Sequence, residues 1–265
     1  MNLASNPNQV QNPRSFRAVG CVAVGTKERR QRQFAEREQL FLDTARELIR
    51  ESGLLNLQMS RIAEKCEYAV GTLYQHFASK EDLLLALTTL QAQEHTELFR
   101  RVRDWNASAR DRMIAIGVAD LIFVRRHPDH FRIAQYALCE VVWRAASPDR
   151  RAEFLEACQP VARIVADIVR DAVAAGDLVL GRLTPEQLCT GLWALCNGTH
   201  NLVHAEGVLE EFAGHDAYRL MFRHMHAMLN GFNWKPLVDV TDDRTIDRLN
   251  ERIRNEVFHD LCSAA

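Results

Sequence analysis

Residues 53–87, GLLNLQMSRIAEKCEYAVGTLYQHFASKEDLLLAL, decide the fold. Met59, Ile62, Ala63 and Cys66 recur at spacings of three and four, which predicts a short helix with one face on a core. A second short helix is predicted over Val70 to Phe77, where Leu73 and Phe77 face inward and Ala69 or Val70 can pack beside them. Only Glu67, Tyr68 and Ala69 separate the two, which leaves room for a helix-turn-helix connection. Ser79 and Asp82 form a capping box, so a third helix opens at Lys80 and carries Leu83, Leu84 and Leu87.

The second helix is the informative one. With Leu73 and Phe77 inward, Thr72, Tyr74, Gln75 and His76 are left on or near the outside. Tyr and Thr hydroxyls and a His ring N–H suit phosphate oxygens and base edges, and a Thr methyl can meet a thymine methyl. Gly71 removes a side chain near the helix start, so the backbone and its free N–H groups can approach a phosphate closely. Lys80 sits at the start of the next helix, a poor place for a cation unless an anion binds there.

Ile62 and Ala63, the run from Val70 to Phe77, and Ser79-Lys80-Glu81-Asp82-Leu83 resemble the DNA-binding signature of TetR-type bacterial transcriptional regulators. The core pattern G-T-L-Y-x-H-F-x-S-K-E-x-L is present, and the resemblance covers about a fifth of the chain. It implies that Val70, Gly71, Thr72, Tyr74 and His76 hold recognition-helix positions facing DNA, and that Lys80 is the phosphate-binding lysine. Two departures stand out. Gln58 occupies the position of a capping Thr, and Glu67-Tyr68 replaces a Gly-Val turn, which must therefore close in another way.

Composition agrees with an all-α chain of 265 residues: sustained period-two runs are absent, while Ala, Leu, Arg and Glu are plentiful. The net charge of −2 advertises no nucleic acid, and residues 27–82 hold ten Lys or Arg against ten Asp or Glu. Any field for DNA must come from placement: residues 68–80 contain no acid, and Lys27, Arg29, Arg30 and Arg32 cluster ahead of the first helix. Arg29 and Arg30 are therefore added to the DNA-contact set, as an arm of little sequence specificity. Seven cysteines without a C-x-x-C pair read as reduced, small apolar side chains. No signal-peptide layout and no membrane-length apolar run are seen, so the expected location is the cytoplasm.

Along the chain, residues 1–26 are expected to be a disordered tail and 27–87 the helix-turn-helix domain, whose first helix, about Glu28 to Glu51, buries Phe34, Phe41, Ala45, Leu48 and Ile49 and stops at Gly53. Residues 88–232 form a larger helical domain. Its helices are predicted from Lys80 to about Trp105, from the Ser108-Asp111 box to His127, from Pro128 to about Arg144 with Phe131, Ala134, Leu138 and Val141 or Val142 inward, from Ser147 to Gly176 with a kink or break at Pro160, from Thr184 to about Ala205, and from about His215 to Gly231. Residues 233–265 add an extension with one amphipathic helix, about Asp242 to Leu261. Its stripe of Ile246, Leu249, Ile253, Val257 and Leu261 is covered either by its own domain or by exchange across a dimer.

The resemblance implies that the larger domain binds a small-molecule inducer and dimerises through its last two helices, with Leu188, Leu192, Leu195, Leu202, Leu220, Met221, Met225, Met228 and Leu229 as apolar material. Phe123, Tyr136, Trp143 and Trp193, with Asn197, are the candidate ligand-binding residues, and they suit an apolar or amphipathic ligand. Cys196, His200 and His204 share one helix face but supply no fourth ligand, so no metal is expected. No nucleophile-base set or Gly-rich phosphate loop appears, so neither an enzyme nor a cofactor is expected. The reading that follows is a homodimeric, ligand-responsive repressor on duplex DNA. Its rival is a helical metal or redox sensor that does not bind DNA.

Overall fold

The computed structural model describes residues 25–205, 208 and 216–262. The expected tail lies outside the described residues up to 24, as do His215 and the side chains of Cys21 and Cys262. Among the described residues all regular structure is helical. The chain divides into two compact units between Gln39 and Leu40.

Helix α1 spans Thr26–Ser52. In the first unit it is exposed round its circumference from Lys27 to Glu36, so the stripe expected to begin at Phe34, 40% exposed, begins instead at Phe41. Phe41, Ala45 and Leu48 are buried, and Gly53 ends the helix with φ 85°, a backbone state that favours glycine.

In the second unit α2 (Met59–Lys65), α3 (Val70–Tyr74) and α4 (Lys80–Thr89) form the helix-turn-helix and its support. Helix α4 stops where a run to Trp105 was expected, and α5 (Ala92–Asp104) follows. The Thr88 and Thr89 hydroxyls donate to the carbonyls of Leu85 and Ala86, at 2.6 and 2.8 Å, and so compete with the helical ladder at the break. Helix α6 (Ala109–Arg126) opens on the Ser108 cap, whose hydroxyl accepts from the Asp111 N–H at 3.0 Å. The helix expected from Pro128 to Arg144 is two, α7 (Pro128–Ala137) and α8 (Glu140–Ala145). The break changes the phase: of the two alternatives Val142 turns inward with Ala146 and Val141 is 79% exposed, while Leu138, expected inside, is 41% exposed.

Helix α9 (Pro148–Ala174) runs through Pro160 rather than breaking there. Pro160 and Glu156, whose carbonyl loses its N–H partner, both lie on the exposed face, where water can substitute. Helix α10 (Pro185–His204) carries the complete capping box of Thr184 and Gln187, and α11 (Ala217–Gly231) opens on Asp216. The C-terminal segment forms α12 (Asp243–Val257) and the short α13 (His259–Cys262).

Two apolar cores result, both within residues 40–265. One joins Phe41 and Leu48 of α1 to α2, α3 and α4, and continues into Ile133 and Ala137 of α7 and Val142 of α8. The other is built from α5, α6, α9, α10 and α11, closed by Ile246, Ile253 and Val257 of α12. The amphipathic stripe of α12 is thus covered by its own chain, with Trp105 donating to Glu256 at 2.8 Å and Arg252 over the Trp105 ring at 4.8 Å. Leu188, Leu192, Met221, Met225 and Leu229 fill this core at 4% exposure or less, so they are not available to a partner as the dimer reading supposed. No described helix is long and apolar enough to cross a membrane.

Candidate nucleic-acid interface

The turn between α2 and α3 closes by a Schellman motif. The Tyr68 N–H donates to Ala63 O at 2.9 Å and the Glu67 N–H to Glu64 O at 3.0 Å, while Glu67 takes φ 59°. The missing glycine is thus replaced by a strained glutamate, and the Tyr68 ring sits edge-on to Phe41 at 5.5 Å. Left-handed backbone costs a side-chain-bearing residue about 1–2 kcal/mol, partly offset by the greater unfolded-state entropy of glycine. Glu67→Gly is therefore expected to raise stability by about 1 kcal/mol in denaturant unfolding; a lower midpoint would show that the glutamate side chain makes up for its backbone.

Helix α3 is anchored from one side by Leu73 and Phe77, both fully buried. Val70 and Tyr74 point outward, 38% and 49% exposed, with Gly71 and Gln75 exposed and Thr72 half-buried. A Cβ built on Gly71 meets nothing within 4 Å, and its φ is not positive, so neither packing nor backbone conformation calls for glycine there. Gln58 caps α2 only by position, with no side-chain bond to the helix.

His76 departs from expectation, because its ring is buried at 7% exposure, edge-on to Phe41 at 5.4 Å. Helix α3 ends at Tyr74 rather than Phe77, and the Gln75 and His76 N–H groups bond to Thr72 O and Leu73 O, three residues back. That tighter winding eclipses residues three apart, which stacks His76 under Leu73 on the buried face. Its side chain supports the outward residues instead of joining them.

Lys80 is half-buried, and its ammonium donates to Leu55 O at 3.4 Å, which uses one of its three donors. Ser79 caps α4 through the Asp82 N–H at 3.1 Å. The Asp82 carboxylate does not return to Ser79 as in the full box; it accepts the Ser147 N–H at 2.7 Å. Arg29 and Arg30 lie exposed on the first turns of α1, in the other unit.

The candidate ligand residues do not converge. Phe123 is buried and stacks on His95 at 4.2 Å, Trp143 packs edge-on to Phe154 at 5.6 Å in the other core, and Trp193 is 63% exposed. Tyr136 packs with Trp143 against that same core, and Asn197 is half-buried on α10. A cleft of about 350 Å³ opens instead between α6, α11 and α12, lined by Leu121, Arg125, Tyr218, Phe222 and Arg254 among others. None of the five expected residues lines it.

Two polar groups escaped the sequence reading. Asp120 joins α5, α6 and α10, accepting from His95 at 3.2 Å and His200 at 3.1 Å. Burial pushes its carboxyl up, but the bonds from His200 and His95 outweigh this and hold it well below the usual range. Arg110 is 1% exposed, and its place in phase with Ile114 and Val118 was a signal available in the sequence. His200 is used by Asp120 and by Tyr218, 3.3 Å away, and Cys196 lies 3.8 Å from the Met225 sulfur; among the described residues no His, Cys and acid set could hold a metal. Burial pushes the thiols of Cys189 and Cys196 up to about 12, which leaves almost no thiolate for redox chemistry at neutral pH.

Comparison with known proteins agrees with this geometry. Residues 33–87 match the profile of bacterial regulatory proteins of the tetR family. The HTH-type transcriptional regulator UidR of Escherichia coli is 45% identical over 53 residues, 20% of this chain and 26% of that protein, so the match spans about a quarter of the relative. A tetR-family regulatory protein from Rhodococcus RHA1 shares the fold at 18% identity and TM-score 0.52, over 74% of this chain and 96% of its own. FadR from Bacillus subtilis, in complex with stearoyl-CoA, does so at 18% identity and TM-score 0.55, over 73% of this chain and 98% of its own.

Proposed function

We propose that this protein, whose residues 33–87 match the tetR family of bacterial regulatory proteins and whose helical fold is similar to that of a tetR-family protein, is a ligand-responsive repressor that binds a palindromic operator as a homodimer. The observation that carries the reading is Gly71. A glycine with helical backbone and open space lies beside outward Val70, Thr72 and Tyr74, on a helix held rigidly from behind by Leu73 and Phe77. That open space leaves room for the close approach of a DNA backbone. Two such helices, one from each protomer, would enter successive major grooves about one helical turn apart.

Dimerisation is assigned to the outer face of α10, where Trp193 and Leu202 remain 63% and 44% exposed on either side of Ala194, Asn197 and Gly198. The inducer is apolar or amphipathic and acts on the helices between Ser108 and Ala205. FadR of B. subtilis, on the same fold, holds an amphipathic ligand, stearoyl-CoA. The inducer releases DNA only as far as its own preference between the two dimer geometries allows.

Selection of duplexes from a random pool, followed by titration at two salt concentrations, tests this. An inverted repeat is expected, bound by two protomers at least about a thousandfold more tightly than unrelated duplex, with affinity falling steeply as salt rises. Recovery of no common sequence would refute operator recognition, and one protomer per site would refute the palindrome.

A further inference from the structure

Helix α9 begins on the recognition segment and ends in the large core. Its first turn reaches back at two points. The Arg150 guanidinium donates to His76 O at 3.1 Å and lies 5.3 Å from the centre of the Phe77 ring. At the same turn the Ser147 N–H donates to the Asp82 carboxylate at 2.7 Å, and Asp82 is 4% exposed at the start of α4. The Arg150 side chain is itself only 16% exposed and is braced by Glu153 at 2.8 Å. From there α9 runs to Ala174, placing Ile164, Ile168, Val169 and Ala172 among the buried residues of the other core.

We propose that Arg150 and Asp82 form a two-point latch through which α9 sets the pose of the recognition helix, so that Arg150 is a positioning residue for DNA binding although it lies far along the chain. This rests on the DNA-binding reading above. Helix α3 is five residues long, too short to hold its own geometry, so its direction is set by whatever grips its ends. Leu73 and Phe77 grip the inner face. The His76 carbonyl lies two residues past the end of α3, in the link to α4, and a guanidinium is a strong donor for it. The carboxylate that the capping box would have used within α4 is turned to α9 instead, which ties both ends of the segment between α3 and α4 to one rigid rod. A shift of α9 in the large core therefore moves the recognition helix without passing through the loops between them, a physical two-site coupling of the kind that regulation requires.

The full chain carrying Arg150→Ala or Arg150→Lys tests the latch through operator affinity at several salt concentrations and through amide hydrogen exchange of residues 70–78 in the free protein. Arg150→Ala is expected to lower operator affinity about tenfold, with an unchanged salt slope and faster exchange across residues 70–78. Arg150→Lys, which keeps a charge and one donor, is expected to recover part of both. A salt slope reduced by about one ion would make Arg150 a direct phosphate contact and overturn the latch. So would wild-type affinity and exchange in both variants. If Arg150→Ala does not fold, the lysine variant decides by the same two readouts. If the wild type selects no DNA, the DNA reading fails by itself, and the exchange of residues 70–78 still tells whether Arg150 holds the segment.

Discussion

Replacing Gly71 by leucine is expected to leave the folded protein as stable as before, or up to about 1 kcal/mol more stable, while lowering operator affinity at least about a hundredfold. The two effects have opposite signs because they arise at different surfaces. Inside the chain, Gly71 has no packing role: a Cβ there finds open space, whereas one at Gly117 would come within 2.8 Å of the Met225 sulfur. At Gly117 a side chain would have to displace the Met225 thioether where α6 and α11 meet. Gly71 is a glycine that the fold only tolerates, and leucine is among the best residues for an exposed helical position. Against DNA, the same side chain stands beside Val70 and Tyr74 on the approaching face and would hold the backbone of α3 off its target. Denaturant unfolding and operator titration of one purified variant read both effects. A destabilised variant would give Gly71 a structural reason that the packing does not show; unchanged affinity would remove the central support for the DNA reading.

The helix starts were legible because capping is local. Ser79, Ser108, Ser147 and Thr184 each carry their signal within three residues, and each side chain accepts the backbone N–H that the spacing demands. The outward set on α3 was legible for most members by the same helical period. It failed at His76 because the chain there winds more tightly than an α-helix, and two i to i−3 bonds turn the ring inward. The second use of Asp82 was hidden for a different reason. A capping box spells out a bond within four residues, and nothing local says that the carboxylate will instead serve a helix that starts at Pro148. The ligand set was the least legible. Aromatic residues on buried faces look alike whether they line a pocket or fill a core, and here Phe123 and Trp143 fall in separate cores while Trp193 faces out.

Arg110→Ala is expected to cost about 3 kcal/mol or more in unfolding free energy. The guanidinium is buried and donates to Trp234 O at 2.7 Å, to His226 O at 3.2 Å and to the Asn230 side chain at 2.8 Å. Burial pushes its pKa down to about 10, which still leaves it charged at neutral pH. The charge is accepted because it faces the end of α11, where carbonyl oxygens concentrate negative potential. Beside it, burial and then Arg110 push His226 down to about 4, so the imidazole stays neutral at pH 7 and adds no second buried cation. Asn230 passes the connection on: its amide donates to Val238 O at 2.6 Å, which fastens the strand of chain leading to α12. Alanine removes this donor from the Trp234 and His226 carbonyls and opens a cavity, while the Asn230 oxygen keeps the Val238 N–H at 3.1 Å, and a buried group left unsatisfied costs about 1–3 kcal/mol before the surroundings relax. Arg110→Lys keeps the charge but gathers its donors at one point, so it should recover only part of the loss. Operator affinity per folded molecule is expected to be unchanged in both variants, since Arg110 lies in the larger core and not on α3, α4 or the first turn of α9. A loss below about 1 kcal/mol would mean that the carbonyls find water or new partners, and that the guanidinium is an expensive group the fold could do without.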